Sequence, residues 1–272
     1  MRHITRSRAV LTGLLITIST NMALSAPGCG TTSAGFSDWL QQTRQEAAAR
    51  GIGKRALAAL DSVHYTQATI NADRSQKSFK LSLDQFMRKR GASTIVSRGK
   101  ALKKQHAALF ARIEKQYGVP AGPLLAIWGM ETGFGNHMGN QHILSALATL
   151  AYDCRRANFF SQQLHAALQL IDRGNFDPRA NGAMHGEIGQ TQFLPVNVLK
   201  YGVDGDGNGR IDMIRSSADA LTSTANFLRG HGWRPGAGYQ PGQPNFAALQ
   251  GWNKASVYQQ AIAIMGKQID NG

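Results

Sequence analysis

Two cysteines are too few for a disulfide-stapled mini-protein or a four-cysteine zinc site. Acidic residues are also scarce: 16 Asp and Glu stand against 30 Lys and Arg, a formal net charge of +14. A surface of that sign favours an anionic partner such as nucleic acid, acidic lipid or an acidic polysaccharide. Charged residues make up only 17% of the chain and hydrophobic residues reach 42%, the wrong balance for a disordered polypeptide. Prolines number 8 against 30 glycines, with no collagen-like period, so the glycines read as tight turns. Strand-like alternation is sparse and no internal repeat is visible. Past the first 25 residues no stretch is apolar enough to span a bilayer. The histidines never fall at the spacing of a zinc protease, and the glycine-rich loops lack the Lys-Ser/Thr of a phosphate-binding loop, so neither chemistry is supported. The length of 272 residues suffices for one large domain or two small ones with a sizeable core.

The first residues have the plan of a secretory signal peptide. Arg2, Arg6 and Arg8 make a basic start, Ala9 to Leu24 is apolar but diluted by Thr and Ser, and Ala23 and Ser25 offer a cleavage point. Cleavage removes three arginines and leaves the remainder basic. An exported protein rarely meets nucleic acid, so the anionic partner shifts to a cell-envelope polymer. In an oxidising compartment two lone cysteines often pair, so Cys29 and Cys154 are a candidate disulfide; a buried thiol plus one in a flexible tail is the alternative. Cys29 as a lipid-attachment site fits badly after Ala26-Pro27-Gly28.

The remainder reads as mainly helical. Helices are expected over Trp39 to Arg50, over residues 54–63, and along a stripe of Leu102, His106, Leu109, Phe110, Ile113 and Tyr117, which reads as one helix ended by Gly118 and Pro120. Residues 64–100, rich in Lys and Arg, read as a solvated basic face. Leu124 to Glu131 is nearly all apolar and is expected to be a buried helix. Further helices are expected over Ile143 to Asp153, Phe159 to Ile171, Pro195 to Lys200, Ala218 to Leu228 with Ser217 as cap, and around Val257 to Met265. Glycine-rich loops fall at 132–142, 174–192, 202–212 and 230–246.

Two segments carry chemistry. Leu124 to Gly135 places one carboxylate, Glu131, at the end of a buried helix before glycines release the chain. Burial penalises the ionised form and raises a carboxyl's pKa, which is how a general acid for glycosidic cleavage is made. A Glu held by backbone amides or an Arg is the plainer reading. The second segment, Gly186-Glu187-Ile188-Gly189-Gln190-Thr191-Gln192-Phe193-Leu194-Pro195, sets neutral hydrogen-bonding groups among glycines that allow close approach of a ligand.

Glu131-Thr132-Gly133-Phe134-Gly135, followed by Gly189-Gln190-Thr191-Gln192-Phe193-Leu194-Pro195, resembles the lytic murein transglycosylases of the membrane-bound B type. Tyr117 to Pro120, Ala146 to Leu150, Arg155-Arg156, Asp73 to Gln76, Gly230 to Trp233 and Trp252-Asn253 to Tyr258 agree with that family. The resemblance implies a lysozyme-like (α+β), mainly α-helical core over residues 106–272, an added N-terminal helical region over 26–105, and a groove for peptidoglycan strands. It makes Glu131 the catalytic acid/base and Gln192, Arg155, Arg156, Trp252 and Tyr258 substrate-binding residues. Gly-Ala-Met-Gly of the family reads Gly186-Glu187-Ile188-Gly189 here, a family serine reads Ala183, and a groove tyrosine reads Trp252. The expected protein is a periplasmic monomer, peripheral to the envelope and without a lipid anchor, though a lipid-anchored form stays open. Two alternatives also stay open: a muramidase using Glu131 and Glu187, and a non-catalytic peptidoglycan-binding module.

A third segment, Asp204 to Asp212, sets oxygen ligands at positions one, three, five and nine of an EF-hand-like loop, with glycine at six. Position twelve is Arg215 instead of Glu, and Asp219 is the nearest replacement. The residues named for a structural calcium ion are Asp204, Asp206, Asn208, Arg210, Asp212 and Asp219; a glycine-rich turn without an ion is the alternative. No cofactor is required for the expected chemistry.

Overall fold

The computed structural model describes residues 28–75 and 81–272. The expected signal peptide at 1–25 lies outside the described residues, as do Gln76, Lys77 and Lys80.

The helices, in chain order, are α1 (Phe36–Ala49), α2 (Lys54–Ala59), α3 (Gln67–Arg74), α4 (Leu83–Lys89), α5 (Ala92–Gln105), α6 (Ala107–Tyr117), α7 (Ala121–Thr132), α8 (Ile143–Tyr152), α9 (Ala157–Asp172), α10 (Pro195–Tyr201), α11 (Ser217–Gly230), α12 (Phe246–Trp252) and α13 (Ser256–Asp270). The one named sheet among the described residues is a pair of short strands, β1 (Gln141–His142) and β2 (Asn181–Gly182), antiparallel with Gln141 opposite Gly182. No described helix is long and apolar enough to cross a membrane.

Helix α7 is the axis of the molecule. Every one of its residues is buried except Glu131. An all-apolar helix must be surrounded, and α5, α11 and α13 pack around this one. Helix α13 crosses it at backbone contact: a Cβ on Gly122 would sit 2.2 Å from the carbonyl oxygen of Gly266, so position 122 has no room for a side chain. Leu124, Leu125 and Ile127 have no exposed surface, and burial of each contributes about 1.5–3 kcal/mol. Leu125→Ala would cost about 2–5 kcal/mol through the cavity it leaves. The helix ends where Gly133 takes a left-handed backbone, φ 59°.

The N-terminal helices belong to the same core. Helices α1 and α3 lie on α8, α2 lies on α9, and α4 and α5 lie against α13, with α5 also on α7. The disulfide Cys29–Cys154 pins the start of the described chain to the end of α8, beside a backbone bridge in which Gly30 N–H donates to the Tyr152 carbonyl at 2.9 Å. The pairing leaves no thiol at Cys29 for acylation.

Three sequence expectations need correction. Residues 64–100 are more than a solvated face: Arg74, Arg88, Lys89, Arg90 and Arg98 are exposed as expected, but the described residues form α3, α4 and the start of α5, bury Ile70, Asp73, Phe86 and Ile95, and lay Arg90 and Arg98 over aromatic rings. The Leu102 to Tyr117 stripe is broken at His106, whose φ of −110° interrupts the helical ladder between α5 and α6; a one-residue break barely disturbs periodicity, so the pattern does not register it. The cap of α11 is Ser216, not Ser217: its hydroxyl accepts the Asp219 amide at 3.1 Å, the reach of an N-cap to the third helical residue.

Candidate active site

A cleft of about 490 Å³ opens beside the C-terminal end of α7. Its walls are Glu131, Ala183 to His185, Glu187, Gln192 to Leu194, Asn197, Phe227 and Gly251 to Asn253. Five separate stretches therefore converge: the end of α7, the loop after β2, the start of α10 with the residues before it, α11 through Phe227, and α12 with the residue after it.

Glu131 Oε1 accepts two hydrogen bonds, from the Tyr258 hydroxyl at 2.6 Å and from the Trp252 indole N–H at 2.9 Å. Burial pushes its carboxyl above the ordinary range. The two donors and the Arg90 guanidinium pull the other way, and Glu187 adds to the rise. Burial and the neighbouring Glu131 likewise push the Tyr258 hydroxyl well up, so it stays a donor. Arg90 lies 5.9 Å from the Tyr258 ring and donates to the Met130 carbonyl at 3.3 Å. With Oε1 occupied twice, Oε2 is the oxygen left to carry a transferable proton. Burial thus favours the protonated form of the acid, and two fixed donors orient it.

The backbone around the acid is strained. Phe134 and Gln192 are the non-glycine residues with positive φ among the described residues, at 63° and 54°. Such conformations cost on the order of 1–3 kcal/mol each and persist where surrounding contacts over-determine them. Phe134 packs edge-on to Trp128 with centroids 5.5 Å apart, and Arg98 lies 5.3 Å from its ring. Gln192 Nε2 donates to the Gly189 carbonyl at 2.7 Å. The two loops are joined by Thr132 Oγ1, which donates to the Gln190 carbonyl at 2.6 Å and accepts from the Gly135 amide at 2.9 Å.

The structure brings Glu131, Gln192, Trp252 and Tyr258 together, three of them as cleft lining and Tyr258 beneath Glu131. Arg155 and Arg156 are not cleft lining: both guanidiniums pair with the buried carboxylate of Asp73. Trp252, expected as a substrate-binding residue, uses its N–H on Glu131 and packs its ring edge-on to Phe193 and Phe227 at 5.5 and 5.2 Å. Sequence reasoning missed His185, Asn197, Asn253 and Arg90. Of these only Asn253 had a signal, its place beside Trp252.

In the EF-hand-like loop, carboxylate oxygens of Asp204, Asp206 and Asp219 lie within 4.8 Å of one another. Asp204 is held below the ordinary carboxylate range by the amides of Gly209, Gly207 and Asn208. Asp219 clamps the loop, accepting the amides of Gly205 at 2.8 Å and Asp212 at 2.7 Å. Asp212 is outside this acidic group, and its Oδ1 accepts the amides of Ile214 and Arg215. Asn208 Oδ1 accepts the Arg210 amide at 3.0 Å.

The fold is mainly helical and lysozyme-like, and it sets one oriented, burial-shifted carboxyl in an open cleft. Residues 35–243 match the Transglycosylase SLT domain, and the chain belongs to that family. It is 36% identical over 159 residues to the membrane-bound lytic murein transglycosylase B of Escherichia coli K12, a match spanning 55% of this chain and 44% of that protein. The chain thus covers less than half the length of that curated relative. Its structure is similar to SltB3 of Pseudomonas aeruginosa, solved with NAG-NAM-pentapeptide (30% identity, TM-score 0.82) and with NAG-anhNAM-pentapeptide (29%, 0.81); both matches cover 87% of this chain and 80% of SltB3. The Escherichia coli lytic transglycosylase Slt35, solved with calcium, shares the fold at 23% identity and TM-score 0.77, covering 90% of this chain and 96% of that one.

Proposed function

We propose that this protein is an exported lytic transglycosylase that cleaves the β-1,4 bond between N-acetylmuramic acid and N-acetylglucosamine in peptidoglycan and leaves 1,6-anhydro-muramic ends. The observation that carries the reading is Glu131, raised by burial and held through one oxygen by Tyr258 and Trp252 at the floor of the cleft. Glu131 protonates the bridging oxygen through Oε2 as the acetamido oxygen of the muramic sugar attacks C1. Ionised, it then takes the proton of the C6 hydroxyl, which closes the anhydro ring without water. One group serves as acid and then base because its pKa is displaced towards the working pH. Substrate-bearing SltB3 structures of the same fold support the glycan assignment. The test is mass analysis of muropeptides released from purified wall. Wild-type products are expected one water lighter than muramidase products, and Glu131→Gln is expected to lower turnover at least about a hundredfold. Products with reducing-end muramic acid would overturn the lytic reading.

A hydrolase is the second reading, favoured by one observation: Glu187 also lines the cleft and could serve water as a base. Export to the periplasm is supported by the basic and apolar start of the sequence and by the disulfide. We read the protein as a monomer peripheral to the envelope; the pairing of Cys29, which leaves no thiol there to acylate, supports the part of that reading without a lipid. Arg155 and Arg156 act by fixing Asp73 beside the cleft. The loop at 204–219 is assigned a structural Ca²⁺, held by Asp204, Asp206 and Asp219; an all-oxygen donor set on one pre-folded loop fits a hard cation. The ion would pin the loop and takes no part in the reaction.

A further inference from the structure

Glu131 and Glu187 line one cleft, and Glu187 stands where the resemblance expects alanine. Its place is well determined. Ile188 and Phe193 exchange backbone hydrogen bonds of 2.7 and 3.0 Å, which fixes the chain on one side of it. Its Oε2 accepts the His185 amide at 3.2 Å, and its Oε1 lies 3.6 Å from His185 Nδ1. The other ring nitrogen of His185 lies 4.0 Å from Asp73, the buried carboxylate gripped by Arg155 and Arg156. Glu187 is therefore the outward end of a braced charge array, and its side chain keeps 27% of its surface exposed. The neighbouring cleft residue Ala183 offers no polar side-chain atom.

The proposed reaction gives a braced carboxylate a specific task. When the acetamido oxygen attacks C1, its N–H must face some other group, and an N–H left without an acceptor costs about 1–3 kcal/mol. As the new C–O bond forms, positive charge spreads onto that nitrogen. The complementary group is a negatively charged acceptor that is already oriented.

We propose that Glu187 accepts the acetamido N–H of the muramic sugar and stabilises the positive charge that develops there as the oxygen attacks C1. This assignment rests on the lytic reading above. Glu131 gives its proton to the bridging oxygen, the C1–oxygen bond to the leaving sugar breaks, and the acetamido oxygen bonds to C1. The nitrogen keeps its proton, shared with Glu187, in the oxazolinium ion. The C6 oxygen then bonds to C1, the electron pair of the acetamido C1–O bond returns to the amide, and the C6 hydroxyl proton passes to Glu131. Atoms and charge balance without water. The negative charge of Glu187 also pushes the Glu131 carboxyl up, in the same direction as burial, the larger cause.

Steady-state kinetics and product masses of Glu187→Gln and Glu187→Ala, on purified N-acetylated glycan strands, test the assignment. The expected result is a kcat at least about tenfold lower, with KM within about twofold and products still one water lighter. Melting temperatures at the wild-type value show that the variants fold, and the alanine is the residue the resemblance expects there. Adding Ala183→Ser to Glu187→Ala supplies a hydroxyl acceptor on the same wall and is expected to recover part of kcat. An unchanged kcat, or a loss confined to KM, overturns the assignment while the anhydro products uphold the lytic reading. Reducing-end products that vanish with Glu187 overturn both and select the hydrolase.

Discussion

Tyr258→Phe removes one hydroxyl and keeps the ring that packs on Phe86, 5.8 Å between centroids, and beneath Arg90. The lost contact is the shorter of the two at Glu131 Oε1, 2.6 Å against 2.9 Å from Trp252. A hydrogen bond to an ionised acceptor contributes about 1.5–3 kcal/mol, and part of it survives when the acceptor is protonated. A net loss of about 1.4 kcal/mol falls on the ionised form, which corresponds to about one pH unit. The sign follows from which form loses the donor. Ionised Glu131 is destabilised, so its pKa moves further up and the acid stays protonated to higher pH. The alkaline limb of kcat/KM, which reports the free enzyme's acid, is expected to move up by about one unit. Initial rates of wall solubilisation by wild type and variant, across the acid to mildly alkaline range, measure it. A limb that stays in place, or moves down, refutes the assignment of Tyr258 as a stabiliser of ionised Glu131.

Glu131 also couples activity to stability. Its folded pKa lies above its unfolded value because of burial, so the stability it confers is full below the unfolded carboxylate range and is lost as pH rises through the folded pKa. Glu131→Gln should therefore raise the melting temperature at neutral pH and change it little in acid; equal effects at both would refute this. The disulfide Cys29–Cys154 spans 125 residues, for which the chain-entropy model gives about 5 kcal/mol. Urea unfolding of Cys29→Ser/Cys154→Ser should show most of that loss, and a difference below about 1 kcal/mol would place the bond's effect elsewhere. Calcium at a hundred times its Kd should stabilise the wild type by about 2.7 kcal/mol and Asp206→Ala by much less. A wild-type melting temperature that neither calcium nor chelator moves would remove the ion site.

What the sequence determined by itself was local. The unbroken apolar run from Leu124 to Met130 reads as a surrounded segment, and Glu131 at its end is legible as a buried acid from that pattern. The pairing of the two glycine-bounded segments carried the family resemblance, which implied a groove, and the ligand spacing of Asp204 to Asp212 marked a turn crowded with carboxylates. Tertiary structure decided what these groups touch. Trp252 and Tyr258 lie 121 and 127 residues from the carboxyl they grip, and Arg155 is 82 residues from Asp73. Helical periodicity fixes which face of a segment is apolar but carries no information about which distant polar atom meets it. Hence Trp252 was legible as an aromatic in the groove and not as a donor to the acid, and the arginine pair as two cations and not as the clamp on a buried aspartate. Burial and hydrogen bonding, the two terms that set the state of Glu131, exist only once α7, α12 and α13 have packed together.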